Sequence, residues 1–309
     1  MKEKVANIIR NHEKFEIITH ENPDADAVGA SRGLAYALDA MGKKVELVYP
    51  SPAPRELLFE PLPRAGNAFT PQITMMVDVS DMGMIGTKIP RGELVVIDHH
   101  RNFDKTGICF WVDPEKSSAS EMVYDLLTGL GVEVDERIAS NLYMGIFGDT
   151  GGFIHSNTTP RVFEIVRDLA FAGANPNAIA YRLKRSRPMA YFRILCVAME
   201  RIIERQGVCG SYITLKDMRN SGAKREDTSG IIDQVASLDA SRLSIFMRDI
   251  DRQKVHCSIR SRTNASALKT ARAFGGGGHE RAAGFTMKAR SQDLIEAVIE
   301  EGCKWVNME

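Results

Sequence analysis

The sequence predicts an α/β fold, with a parallel-sheet N-terminal domain followed by a smaller mixed α/β domain. Three observations predict it. Short apolar runs alternate with helical patterns through the first half. Those runs end in Asp or His, as strands do where a parallel sheet presents its carboxyl ends. The composition then changes at a basic stretch near residue 188. At 309 residues and 44% hydrophobic content, the chain is long enough for two packed cores.

The elements follow in order. Met1-Lys2-Glu3-Lys4 leads into a mixed helix. Strands are expected near 15–19, 44–49, 73–79 and 94–98, and a helix over 31–41, where Leu34, Ala35 and Leu38 fall on one face. Segments 118–130 and 136–147 read as further helices. The short run Leu142 to Phe147 is also strand-like, so periodicity leaves open whether Asp149 follows a strand or a helix. Thr158-Thr159-Pro160 marks the start of a helix over 161–172. The basic stretch Arg182 to Pro188 is the linker candidate, about 182–192, dividing a domain at 1–188 from one at 193–309. In the second domain, strands are expected at 208–215, 242–249, 254–261 and 282–287. Helices are expected near 229–238, 265–274 and 291–306, the last closing around Leu294, Val298 and Trp305.

Four apolar runs point ionisable groups at what could be one place. Phe15 to Thr19 leads into His20, with Asp24 and Asp26 close behind. Met75-Met76-Val77 leads into Asp78, Leu94 to Ile97 into Asp98-His99-His100, and the run ending at Phe147 into Asp149. Singly, such residues are helix caps or solvated groups. Together they read as metal ligands. Imidazole and carboxylate without thiolate suit manganese, cobalt or iron better than a closed structural zinc site. Six candidate ligands, His20, Asp24, Asp26, Asp78, His99 and Asp149, are too many for one ion. They fit two ions roughly 3.5–4 Å apart with one carboxylate bridging, the arrangement that promotes in-line phosphoryl displacement. The expected cofactor is therefore a pair of divalent ions, Mn2+ first, with Mg2+, Co2+ or Fe2+ as alternatives. Asp98 reads as a group that orients a histidine rather than a ligand, because a coordinating imidazole needs a partner for its other nitrogen.

Gly275 to Gly278, followed at once by His279, allow positive φ and close approach of backbone N–H groups to a charged ligand. The expectation is a phosphate-cradling loop. It is not a dinucleotide fingerprint, since it follows a helix.

The segments His20-Glu-Asn-Pro-Asp24-Ala-Asp26, Val77-Asp78, Asp98-His99-His100 and Gly148-Asp149-Thr150-Gly151 resemble the four ordered motifs of the DHH phosphoesterase family. Gly275 to Gly284 is similar to the glycine-histidine signature of the substrate-binding domain often joined to it. The resemblance spans nearly the whole chain. It implies that His20 and Asp24 hold one metal and Asp26, His99 and Asp149 the other, with Asp78 bridging and His100 facing the substrate phosphate. It further implies an active site in the cleft between the domains, with Arg260, Ser261, Gly276, Gly277, Gly278 and His279 binding substrate and Asn264 a weaker candidate. Asp149 to Phe153, Ser156 to Pro160, and Ser258-Ile259-Arg260-Ser261 look most like the branch that acts on very short oligonucleotides (nano-RNA) and on 3′-phosphoadenosine 5′-phosphate. Cyclic or linear dinucleotide phosphodiesterases and single-strand exonucleases share the core and remain alternatives. A pyrophosphatase or a catalytically silent nucleotide sensor is disfavoured by the C-terminal signature and by the complete ligand set.

Charge agrees with a small substrate. Forty Lys and Arg balance forty Asp and Glu, whereas a face that tracks long nucleic acid carries a basic excess. The expected partners are short RNA or DNA oligonucleotides or small nucleotides. Leu/Val/Met-rich helices leave a homodimer open. Five scattered cysteines without metal spacing suggest reduced thiols, and no signal-peptide core or membrane-length apolar run is present, so a soluble cytoplasmic protein is expected.

Overall fold

A computed structural model describes every residue except 60, 62–67, 80, 101–106, 186, 263, 264, 279 and 307–309. The chain divides into two compact units, Met1–Ser186 and Arg187–Glu309.

In the first unit the order is α1 (Lys2–Asn11), β1 (Lys14–Ile18), α2 (Ala25–Ala40), β2 (Lys44–Val48), β3 (Ile73–Val77), β4 (Glu93–Asp98) and β5 (Cys109–Val112). Four helices follow: α3 (Ala119–Leu130), α4 (Glu136–Asp149), α5 (Pro160–Phe171) and α6 (Pro176–Arg185). The five strands form one sheet in the order β2-β1-β3-β4-β5, and every pairing is parallel. Central strands of such a sheet are covered on both faces, which is why β3 is buried along its whole length. One face carries Phe15, Ile17, Met75, Val77, Val95 and Ile97 against the helices. The other carries Ile18, Met76 and Val96 under Val79 and Ile85. The strand order reverses direction between β1 and β3, and their carboxyl ends flank that switch point, where parallel α/β sheets leave a crevice for ligands.

Helices α2 and α4 pack unusually closely. A Cβ on Gly29 would overlap the backbone carbonyl of Asn141, and one on Gly33 would press 2.6 Å from a Leu142 methyl. This closeness brings the start of α2 and the end of α4 to the same end of the sheet.

The second unit comprises α7 (Met189–Glu200), β6 (Ile203–Arg205), β7 (Val208–Ile213), α8 (Leu215–Ser221), α9 (Ile231–Ala236), β8 (Leu243–Asp249), β9 (Lys254–Ser261), α10 (Ala267–Arg272), β10 (Gly277–Gly278), β11 (Ala282–Lys288) and α11 (Ser291–Val306). Its sheet runs β10-β11-β9-β8-β7-β6, antiparallel except for the parallel pair β7–β8. One face packs Val208, Ile245, Met247, Val255, Cys257 and Ile259 on Val298 and Ile299 of α11. On the other face, Ile213 and Phe246 meet α7 and α9 through Tyr191, Ile194, Ile231 and Ile232.

The structure differs from the expectations in instructive places. Residues Leu142 to Phe147, strand-like by apolar content, lie inside α4, because a six-residue run cannot distinguish a buried strand from a buried helix. The basic stretch expected as a linker over 182–192 is largely helical: α6 continues to Arg185 and α7 starts at Met189 behind Pro188. The glycine run is also not a free loop. Gly275 and Gly276 donate to Arg272 and Ala271 and close α10, and Gly277 and Gly278 form β10 opposite Gly284 and Ala283. Among the described residues, no helix is long and apolar enough to cross a membrane, and all five cysteines are free thiols.

Candidate metal centre

Each candidate ligand is placed by a backbone feature. His20 follows β1 and buried Thr19, and its Nδ1 lies 2.8 Å from the carbonyl of Glu21, leaving Nε2 to face the crevice. Asp24 is the N-cap of α2; its Oδ1 accepts from the backbone N–H groups of Asp26 and Ala27 at 3.0 Å each. Asp26, in the first turn of α2, is itself gripped by the start of α3, accepting from Ala119 N at 2.6 Å and Ser120 N at 2.9 Å. Two helix N-termini thus converge on neighbouring carboxylates, where their dipoles favour negative charge.

Asp78 leaves β3 with φ of +59°, a left-handed conformation that Asp tolerates better than most residues. That turn aims its carboxylate between the histidines. Oδ2 lies 3.6 Å from His20 Nε2, and Oδ1 lies 3.6 Å from His99 Nε2 and from His100 Nδ1. Asp78 is 2% exposed, and its Oδ1 has no hydrogen-bond partner among the described residues. Asp98 ends β4 fully buried; its Oδ1 accepts from His99 N at 2.8 Å and faces His100 Nδ1 at 2.7 Å. Asp149 is the last residue of α4, with Oδ2 3.3 Å from His99 Nε2.

These atoms form three groups able to hold a metal ion: His20, Asp24 and Asp78; Asp26, His99 and Asp149; and Asp78, His99 and His100. Asp78 belongs to two of them. All six residues expected as ligands therefore come together, and His100 joins them.

The electrostatics are those of crowded acids awaiting a cation. Burial, reinforced by Asp78, raises the Asp26 carboxyl well above its usual range. Burial and the neighbouring carboxylates Asp26, Asp24 and Asp78 do the same to Asp149. Asp78 goes the other way: burial alone would raise it, but His20, His99 and His100 together hold it below the usual value. Burial opposes protonation of His20 and His100, yet hydrogen bonding to Asp78 and Asp98 respectively brings each up to about 9. An unpaired buried carboxylate oxygen beside two carboxyls that resist ionisation fits a divalent cation pair, which would neutralise them at once.

Residues 14–146 match the DHH family N-terminal domain, and residues 206–307 match the DHHA1 domain. Over 308 residues the chain is 34% identical to the bifunctional oligoribonuclease and PAP phosphatase NrnA of Thermus thermophilus, covering 96% of this chain and 93% of that protein. The chain belongs to the DHH family. The NrnA of Bacillus subtilis is 26% identical, covering 98% of this chain and 99% of that protein. Among solved structures, an exopolyphosphatase-related protein from Bacteroides fragilis superposes with a TM-score of 0.90 at 21% identity, over 98% of this chain and 95% of that one. RecJ of Thermus thermophilus in complex with Mn2+ gives 0.60 at 14% identity, over 99% of this chain and 54% of that one. These structural likenesses establish the shared DHH fold.

Within the first unit, sequence reasoning missed the clamp around Asp149. The side-chain amide of Asn157 donates to the carbonyls of Ser117 and Asp149, tying the approach to α3 to the end of α4. Asn157 thereby joins the segment whose N–H groups grip Asp26 to the end of the helix that carries Asp149. His155 Nδ1 lies 3.2 Å from the same Asp149 carbonyl. The signal was present in the Ser156 to Pro160 segment, but its contacts are tertiary.

In the DHHA1 domain, Arg260 lies on β9, half-exposed, with Nε 3.7 Å from Asp233 Oδ1. Ser261 is buried, and its N–H is spent on Arg281 O. Gly276 and Gly278 are required sterically: a Cβ on the first would overlap Gly284 O, and one on the second would crowd Ala282 O and Ala283. Gly277 faces open space. His279 and Asn264 lie outside the described residues.

Proposed function

We propose that this chain is a two-metal phosphoesterase that hydrolyses short oligonucleotides to mononucleotides and also removes the 3′-phosphate of 3′-phosphoadenosine 5′-phosphate. The observation that carries the reading is the Asp78 carboxylate, one oxygen turned toward His20 and the other, buried and unpaired, toward His99. The substrate reading is supported by the NrnA relatives, whose names state those two activities and which align over nearly their whole length.

His20 and Asp24 would hold one ion, Asp26, His99 and Asp149 the other, with Asp78 serving both; manganese is the ion we assign. Bound there, such ions lower the pKa of water and offset charge on phosphoryl oxygens. The protein's own groups do the rest. Asp98 accepts from His100 Nδ1, which fixes the ring and keeps it cationic, leaving Nε2–H to donate to a phosphate oxygen. Asp24 and Asp26 are held in place by backbone N–H groups at helix N-termini. In the second unit, we assign nucleotide binding to Arg260, Ser261, Gly276, Gly277, Gly278 and His279. The Arg260 pair with Asp233 is exposed and weak, so a phosphate can replace it. Free and mostly buried thiols suit a reducing compartment, and the cytoplasm is where we assign the activity.

The test is a manganese-supplemented panel of 3′-phosphoadenosine 5′-phosphate, RNA and DNA di- to pentanucleotides, cyclic dinucleotides and pyrophosphate. We expect AMP from the first and mononucleotides from the oligoribonucleotides. Phosphate release from pyrophosphate alone would overturn the reading.

A further inference from the structure

Arg248 is a buried strand residue whose place the proposed chemistry leaves unexplained. It sits on β8 at 8% exposure, and among the described residues no carboxylate pairs with it and no hydrogen bond reaches its guanidinium. Burying an unpaired cation is costly, so such a group persists where something else supplies the counter-charge.

Its surroundings are basic as well. Directly opposite Arg248 on β9 stands His256, and opposite His256 on β11 stands Thr286. One step toward the hairpin, Lys254 faces Lys288. Like charges set directly across a sheet destabilise it. Val255, Cys257 and Met287 point the other way, into the core, so these cations share the face that also carries Ser258 and Arg260. Arg225, exposed just before the turn at 226–228, adds to the field. Burial and Arg225 push Arg248 down to about 10, and burial with Arg248 and Arg225 lowers His256. Hydroxyls flank the imidazole: Thr286 Oγ1 at 3.1 Å from Nδ1 and Ser258 Oγ at 3.4 Å from Nε2. A chain with no net charge has gathered basic side chains and hydroxyl groups on one strip.

We propose that Arg248 and His256, with Arg225 and the Lys254–Lys288 pair around them, form a second anion subsite that holds a phosphate of the nucleotide other than the scissile one. This deepens the proposed function and rests on it for the identity of the substrate. His256 lies four residues from Arg260 on β9, roughly 13 Å along the strand, so a substrate that meets both presents two separate anionic groups. Arg248 supplies a bidentate contact, and its desolvation makes that contact strong.

The test compares Arg248→Met and Arg248→Lys with the parent protein. A dinucleoside monophosphate offers only its scissile phosphate, whereas a 5′-phosphorylated trinucleotide offers further ones. We expect the preference for the trinucleotide, as the ratio of kcat/KM values, to fall about tenfold in Arg248→Met through KM and to be partly kept in Arg248→Lys. Titration with inorganic pyrophosphate in chelator, followed calorimetrically, should show binding by the parent and about tenfold weaker binding by Arg248→Met. The melting temperature of Arg248→Met should equal or exceed that of the parent, because a buried charge has been removed. A lowered melting temperature with unchanged pyrophosphate affinity, no pyrophosphate binding by the parent, or an unaltered substrate ratio would overturn the subsite. If the parent cleaves neither nucleotide, the proposed function fails and the pyrophosphate titration alone decides the subsite.

Discussion

Asp78 concentrates the argument at the scale of one residue. Its left-handed backbone is tolerated by Asn as well as by Asp, so Asp78→Asn keeps the turn and removes only the charge. Turnover should drop on the order of 10²–10³-fold, the usual loss when one electrostatic partner of a reacting phosphoryl group is removed. Steady-state kinetics with near-UV circular dichroism checks this; an active variant with an unchanged spectrum would remove Asp78 from the centre. His20, Asp78 and His99 were legible in the sequence because each follows an apolar strand, and in a parallel sheet that ending is a location; Asp149 ends a helix instead. Asp98 was read as orienting a coordinating histidine, and the ring it faces is that of His100, which is not among the six expected ligands. Asn157 and Arg248 could not be read. What marks the first is a pair of carbonyls 8 and 40 residues away, and what marks the second is the lack of a counter-ion, a property only the folded strand register reveals.

Secondary elements owe their placement to a few contacts whose removal should be measurable. Gly29 lets α2 lie on α4, and Gly29→Ala would force a methyl into the Asn141 carbonyl. A loss of about 1–3 kcal/mol is expected by urea denaturation, the range for overpacking a tight contact. In the second unit, Thr214 and Asp217 form a capping box on α8, and Arg201 grips the Asp217 carboxylate, with Nη2 to Oδ1 at 2.9 Å. Burial would raise the Asp217 carboxyl, but Arg201 and Thr214 bring it down to about 2, below its unfolded value near 3.9. A depressed carboxyl stabilises the fold fully above the unfolded value and loses that contribution as pH falls from about 4 through about 2. With solvent screening allowed for, Asp217→Asn should cost on the order of 1–2 kcal/mol at pH 7, and the difference from the parent should shrink by pH 3 in parallel urea curves. Strands β1 to β4 and helices α3, α4 and α5 were readable from periodicity, whereas α6 and α7 fell on the stretch expected as a linker or beside it. Strand β5 was not, because Cys109 to Val112 is too short to give a pattern. The ends of α10 and β10 were hidden because glycine carries no side-chain signal for either state.

The whole chain is two units, each with its own core, and all the candidate ligands belong to the first. Calorimetry should therefore resolve a transition that responds to manganese and one that does not. At a hundredfold excess over its dissociation constant, a ligand adds about 2.7 kcal/mol, which is roughly 5–10 °C for a unit of this size. Equal shifts of both transitions would argue against a metal centre confined to the first unit. The double duty of Asp24 has a consequence for descent. Its carboxylate both begins a sixteen-residue helix and belongs to the ligand group, so chemistry and architecture are inherited through a single codon. A lineage that abandoned metal would still be held to Asp, Asn, Ser or Thr here by the need to start that helix. Retention of a short polar side chain at this position in inactive descendants would record folding, and only the persistence of its negative charge would record catalysis.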